Sequence, residues 1–160
     1  MGTEKKYTAA SLVRLNGQLK KPPSRLLAVD PGKHTGLCVF VDGEPRKMEQ
    51  VHTNDDLIDW LEAEPRPDLI VMEKYKLFKW LALQQSGSRM EVAQAEGIVE
   101  SYGRRNGVQV IEQSPQILTT AQMWTKVRLD RGSHDRSHWK SALNHGYYYL
   151  ICNNMAEIKQ

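Results

Sequence analysis

The chain is short of cysteine, of long apolar runs and of any charge balance that holds along its length. Its 160 residues include two cysteines, Cys38 and Cys152. They form no Cys-x-x-Cys pair and no zinc-ligand spacing, so a redox motif or a zinc ribbon is excluded, and they read as buried thiols in a reducing compartment. No apolar run approaches the ~20 residues that cross a bilayer, and no membrane partner is expected. The basic, polar N-terminus lacks the apolar centre of a secretion signal, which sets cytoplasm as the expected location. What is present, 40% hydrophobic and 26% charged residues, describes a globular chain long enough to bury one core.

The net charge of +3 conceals segregation. Residues 1–25 hold six Lys or Arg against one acid, and residues 42–68 hold nine acids against three bases. Residues 74–89 carry Lys74, Lys76, Lys79 and Arg89 with no acid, and residues 126–140 carry five bases against two acids. Two separate basic segments in the body of the chain suit a polyanionic partner, although ordinary surface lysines would give the same count.

Residues 1–24 read as a basic extension and linker, because Lys-Lys-Pro-Pro breaks any helix before Arg25. From residue 25 to 160 the pattern is that of one domain. "RLLAVDP" and "LCVFV" are strands around a tight turn, and "DGEP" signals a hairpin into the more polar, edge-like "RKMEQVH". "NDDLIDWLEAE" is an amphipathic helix capped by Thr53 or Asn54, with an acidic first turn. "DLIVME" is a buried strand, and residues 88–106 form a helix stopped by Gly107. "VQVIE" is a fifth strand, "SPQILTTAQMW" a short helix with Pro at its first position, and 134–152 the last helix. A hairpin meander followed by crossovers implies an α/β mixed sheet with helices packed on it.

Two of these strands end in acids. Asp30 closes "RLLAVD" and Glu73 closes "DLIVME". Alone, Asp30 could be a turn-former. A second acid at the same end of a second buried strand makes a shared site, since ligands of open α/β sheets lie at the carboxyl ends of strands. Two such carboxylates repel unless a cation sits between them, and a hard cation such as Mg²⁺ takes oxygen ligands. The last helix supplies a third side. Asp135, His138, Ala142, His145 and Tyr149 fall within about 80° of its arc, and small Ala142 and Gly146 permit a close approach to the sheet. Asp135 could instead be a dipole-complementing acid, and His138 a satisfied half-buried histidine.

Taken together, "LAVDPGKHTGLCVF", "DLIVMEKYKLF", "AQAEGIVESYGRRNGVQVIEQSP" and "HWKSALNHGYYYL" resemble the RuvC-like branch of the RNase H-like nucleases, in particular the small Holliday junction resolvases of bacteriophages. The resemblance runs from residue 25 to about 152. It implies an RNase H-like mixed five-stranded sheet flanked by helices, and a Mg²⁺-dependent endonuclease that cuts branched DNA as a homodimer, in host cytoplasm if phage-encoded. Asp30 and Glu73 match the first two catalytic acids. The terminal helix of the family reads roughly H-x-x-D-A-x-x-H. His138, Ala142 and His145 match it, and Ser141 stands where the family has its last aspartate. Asp135, one turn before His138, is the expected replacement carboxylate, with Glu96 a second candidate.

In that scheme two ions ~4 Å apart activate water and steady the leaving oxygen. Asp30 bridges both, Glu73 holds one, and Asp135, His138 or both hold the other, with Ser141 in the same shell. Mn²⁺ could substitute for Mg²⁺. Lys33 would touch a phosphate oxygen. The connection after Glu73 would bind DNA through Lys74, Lys76, Lys79 and Arg89, with Tyr75 or Phe78 wedging at the branch. Lys126, Arg128, Arg131, Arg136 and Lys140 would extend the phosphate surface. Two other readings remain open from sequence: a branched-DNA binding protein with a degenerate site, for which Ser141 speaks, and an actin-like ATPase fragment, for which "DPGKHTG" speaks.

Overall fold

In a computed structural model of the chain, residues 18–74, 88–130 and 137–159 are described, the side chains of Ser88 and Arg89 excepted. Strands β1 (Arg25–Asp30), β2 (Thr35–Val41) and β3 (Glu44–Val51) form an antiparallel meander. The β2–β3 turn is Asp42-Gly43, with φ of 50° and 84°. Positive φ at both central residues is the type I′ geometry that the right-handed twist of a hairpin favours. Helix α1 (Asn54–Ala63) follows, capped by Thr53, whose Oγ1 accepts the Asp56 N–H at 3.0 Å. Strand β4 (Leu69–Glu73) pairs parallel with β1, helix α2 (Ser88–Asn106) crosses back, and β5 (Gln109–Gln113) pairs parallel with β4. A single 3₁₀ turn (Pro115–Ile117) leads into α3 (Leu118–Thr125), and α4 (His138–Cys152) closes the fold. The sheet order is β3-β2-β1-β4-β5. As expected, Pro45 and the polar β3 lie on an edge, where a missing N–H costs no ladder bond.

Strand alternation divides the core in two. Leu26, Ala28, Cys38, Phe40, Leu69 and Val71 face α3 and α4 and pack with Trp124, Ala142, Leu143, Tyr147 and Leu150. Leu27, Val29, Leu37, Val39, Ile70 and Met72 face α1 and α2 and pack with Leu57, Leu61, Ala95, Val99 and Tyr102. Each Val, Leu, Ile, Phe or Met among these contributes roughly 1.5–3 kcal/mol when fully buried.

Helix α4 lies close on the first face because glycines admit it. A Cβ on Gly146 would overlap the Phe40 ring, and one on Gly36 would overlap the backbone carbonyl of His138. Buried Asn144 ties α4 to the chain leaving α3. Its Oδ1 accepts from Thr125 Oγ1 at 2.6 Å and its Nδ2 donates to the Val127 carbonyl at 3.1 Å. The described helix runs from His138, and residues 131–136, where periodicity puts the expected start at 134, lie outside the described residues. Residues 18–24 run beside the C-terminal turn, with the Lys20 N–H donating to the Asn154 carbonyl at 2.7 Å. Among the described residues no helix is long and apolar enough to cross a membrane.

Candidate active site

The site stands where three parallel strands end. The β1–β4 register pairs Val29 with Met72, so Asp30 and Glu73, one residue on, stand level, and Glu73 is itself paired with Gln113 at the end of β5. Alternation puts all three on the face that carries α4. Asp30 and Glu73 are 8% and 6% exposed.

Each acid meets a histidine of α4. His138 Nδ1 lies 3.0 Å from Asp30 Oδ2, and His145 Nε2 lies 2.7 Å from Glu73 Oε2. Residues 138 and 145 are two turns apart, so one stripe of the helix addresses both strands. Ser141, between them, is buried, and its hydroxyl reaches Glu73 Oε2 at 3.5 Å. Gln50 of β3 orients the start of α4: its Oε1 accepts the His138 N–H at 2.9 Å, satisfying one of the donors that a helix N-terminus leaves unpaired.

Burial pushes the Asp30 carboxyl above its ordinary value. The His138 hydrogen bond pulls it back, and the Glu73 charge pushes it up again. A buried acid whose ionisation is opposed by a neighbouring carboxylate, with little water to screen it, suits a cation site. The donor set fits a hard divalent ion, with Asp30 and Glu73 oxygens as ligands and the His138 nitrogen beside them. Among the described residues no three His, Cys, Asp or Glu side chains form a complete metal-holding group. Asp135, the expected replacement carboxylate, lies outside the described residues.

Two lysines of the expected DNA surface make ion pairs within the chain. Lys74 follows Glu73, so alternation turns it to the opposite face. There its ammonium pairs with Glu100, with Glu112 at 3.3 Å and with Glu96 at 3.5 Å, and Glu100 chiefly raises its pKa. Lys74 is thus ion-paired with protein carboxylates on that face. Glu96, the second candidate carboxylate, is buried and lies 3.5 Å from the Lys74 ammonium. Lys140 donates to Asp130 Oδ1 at 2.6 Å, which holds the Asp130 carboxyl below its usual range, so its charge too is matched. Lys33, Lys126 and Arg128 are exposed and make no ion pair among the described residues. Tyr75, Lys76, Phe78, Lys79, Arg131 and Arg136 lie outside the described residues, as does the Arg89 side chain.

Three contributors had no assigned role in the sequence: His145, Gln113 and Gln50. His145 was visible as a match to the terminal-helix pattern. Gln113 ends a strand as Asp30 and Glu73 do, but an amide there gives no charge signal. Beside the site, His34 and His52 approach Nδ1 to Nδ1 at 3.1 Å, so at least one ring is neutral. Burial, then the neighbouring His52, lowers the His34 pKa.

No protein-family model and no curated protein matches the chain. Solved structures do match. RuvC from T. thermophilus in complex with a Holliday junction substrate superposes with a TM-score of 0.59 at 21% identity, covering 84% of this chain and 98% of that one. A further structure of Thermus thermophilus RuvC gives 0.58 at 20% identity, covering 82% and 96%. The fold is that of RuvC. The mixed five-stranded sheet flanked by helices is the arrangement that the resemblance to RNase H-like nucleases implies.

Proposed function

We propose that the chain is a divalent-metal-dependent endonuclease that resolves four-way DNA junctions. The observation that carries this reading is the level pair of buried acids, Asp30 and Glu73, at the carboxyl ends of adjacent parallel strands beneath His138 of α4. Its setting in the RuvC fold supports it further, since a RuvC of this fold has been seen with a Holliday junction substrate.

Asp30 and Glu73 would hold the metal, Mg²⁺ by preference and Mn²⁺ as a substitute, with His138 and Asp135 as ligands toward a second position. A bound divalent ion supplies charge for a phosphoryl oxygen and acidifies a water molecule. The protein side of the reaction follows from the geometry. The carboxylates orient the phosphodiester by way of the site they create, and His138 keeps Asp30 in place. Burial of Asp30 and Glu73 limits the water around them, which strengthens the charge interactions within. Lys33, Lys126 and Arg128 would take the flanking phosphates. A junction has two symmetric scissile phosphates, so the active species would be a C₂ homodimer, with α2 as the interface.

Ser141 favours one rival. A hydroxyl supplies no charge where the resembled family places an aspartate, so a junction-binding protein without catalysis is the second reading. Cleavage of a synthetic four-way junction in Mg²⁺ and in Mn²⁺ separates them. The nuclease reading expects paired cuts by the wild type and loss of at least a hundredfold in Asp30→Asn and in Asp135→Asn. Binding without cutting in either metal selects the rival. Cutting that survives Asp135→Asn removes Asp135 from the metal shell.

A further inference from the structure

Glu73 has two oxygens, and the hydrogen bonds to it fall on one of them. Oε2 receives His145 Nε2 at 2.7 Å and Ser141 Oγ at 3.5 Å. Among the described residues none bonds to Oε1. The His145 ring is 0% exposed and is itself held from behind: its Nδ1 lies 2.7 Å from Oε1 of Gln113, the residue paired in register with Glu73. One imidazole thus bridges two neighbouring strand ends. A carboxylate pinned through one oxygen has one oxygen, in a fixed direction, left for a ligand.

We propose that His145 is a positioning residue. It locks Glu73 through Oε2 so that Oε1 alone is presented to the ion, with Gln113 fixing the ring. This rests on the metal-dependent reading of the site and assigns its hydrogen-bonded support. Outer partners of this kind set ligand direction, and losing one weakens metal binding by ~10–100-fold. The alternative is a buried histidine that merely satisfies its neighbours, in which case any polar substitute of similar size should behave alike.

Two variants separate these. The side-chain amide nitrogen of glutamine reaches the position of Nε2, and that of asparagine reaches the position of Nδ1. His145→Gln therefore keeps a donor on Glu73, and His145→Asn keeps only the Gln113 side. Calorimetric titration of the full chain with Mn²⁺ should give a dissociation constant raised ~10–100-fold in His145→Asn and within about threefold of wild type in His145→Gln. Equal weakening in both, or none in His145→Asn, overturns the proposal while leaving the nuclease reading intact. A wild-type chain that binds no Mn²⁺ overturns both. Should either variant fail to fold, a Mn²⁺-soaked crystal of the wild type decides: the ion on Oε1 with His145 still on Oε2 supports the proposal, and an ion on Oε2 contradicts it.

Discussion

A side chain placed for function can oppose folding, and Asp30 is the clearest case. Its native pKa lies above the ordinary 3.8, chiefly through burial. The native state therefore holds the Asp30 proton more tightly than the unfolded chain does. The stability this provides is complete below the ordinary value and is lost as pH rises through the raised native one. Asp30→Asn removes that penalty. In EDTA at neutral pH it should melt at a higher temperature than wild type while failing to cut DNA, and thermal melts with and without metal check this. Ser141→Asp should do the reverse. A third acid beside Glu73 Oε2 should lower the metal-free melting temperature. Mn²⁺ should then raise it by more than in wild type, since an ion at 100 times its dissociation constant stabilises by about 2.7 kcal/mol. Asp30 and Glu73 were legible in the sequence because an acid after an apolar run is conspicuous. The loyalties of Lys74 were not. Its three glutamates come from α2 and β5, and only strand parity, known once the register is fixed, says which face it joins.

Among the elements, α4 carries the site, and its seat on the sheet is set by Gly36 and Gly146. The sequence showed the second, as a small residue on the helix itself. Gly36 read only as part of a turn, because the element that presses on it lies a hundred residues away in sequence. Gly36→Ala sets a methyl group against backbone that cannot rotate aside. We expect a loss of about 1–3 kcal/mol in a denaturant melt. Displacing the His138 end of α4 by an ångström or so should lower kcat ~100-fold. The strands and helices themselves were legible: all five strands, the Thr53 cap and the Gly107 stop follow from alternation and capping residues. The start of α4 was not. The described helix opens at His138, whose N–H is held by Gln50 of a strand 88 residues back, a contact that periodicity does not signal.

The molecule as a whole presents matched and unmatched basic charge, and only the unmatched part should meet phosphate. Lys33, Lys126 and Arg128 are exposed without ion pairs among the described residues, whereas Lys74 and Lys140 are paired. Measured by fluorescence anisotropy over a salt series, substituting any one of the first three by Ala should reduce the slope of log affinity against log salt by about 1. Lys74→Met should leave that slope unchanged and should destabilise the fold instead. Sedimentation of the full chain with a junction should show two protomers per DNA. A slope change for Lys74→Met equal to that for Lys33→Ala would place Lys74 on the DNA surface.

The central claim is that Asp30 and Glu73 share a divalent ion. Anomalous diffraction from a Mn²⁺-soaked crystal tests it most directly. The expected map has a Mn²⁺ peak within bonding distance of carboxylate oxygens from both residues, absent in Asp30→Asn. A map with no peak there, with both carboxylates still held by His138 and His145, would contradict the account.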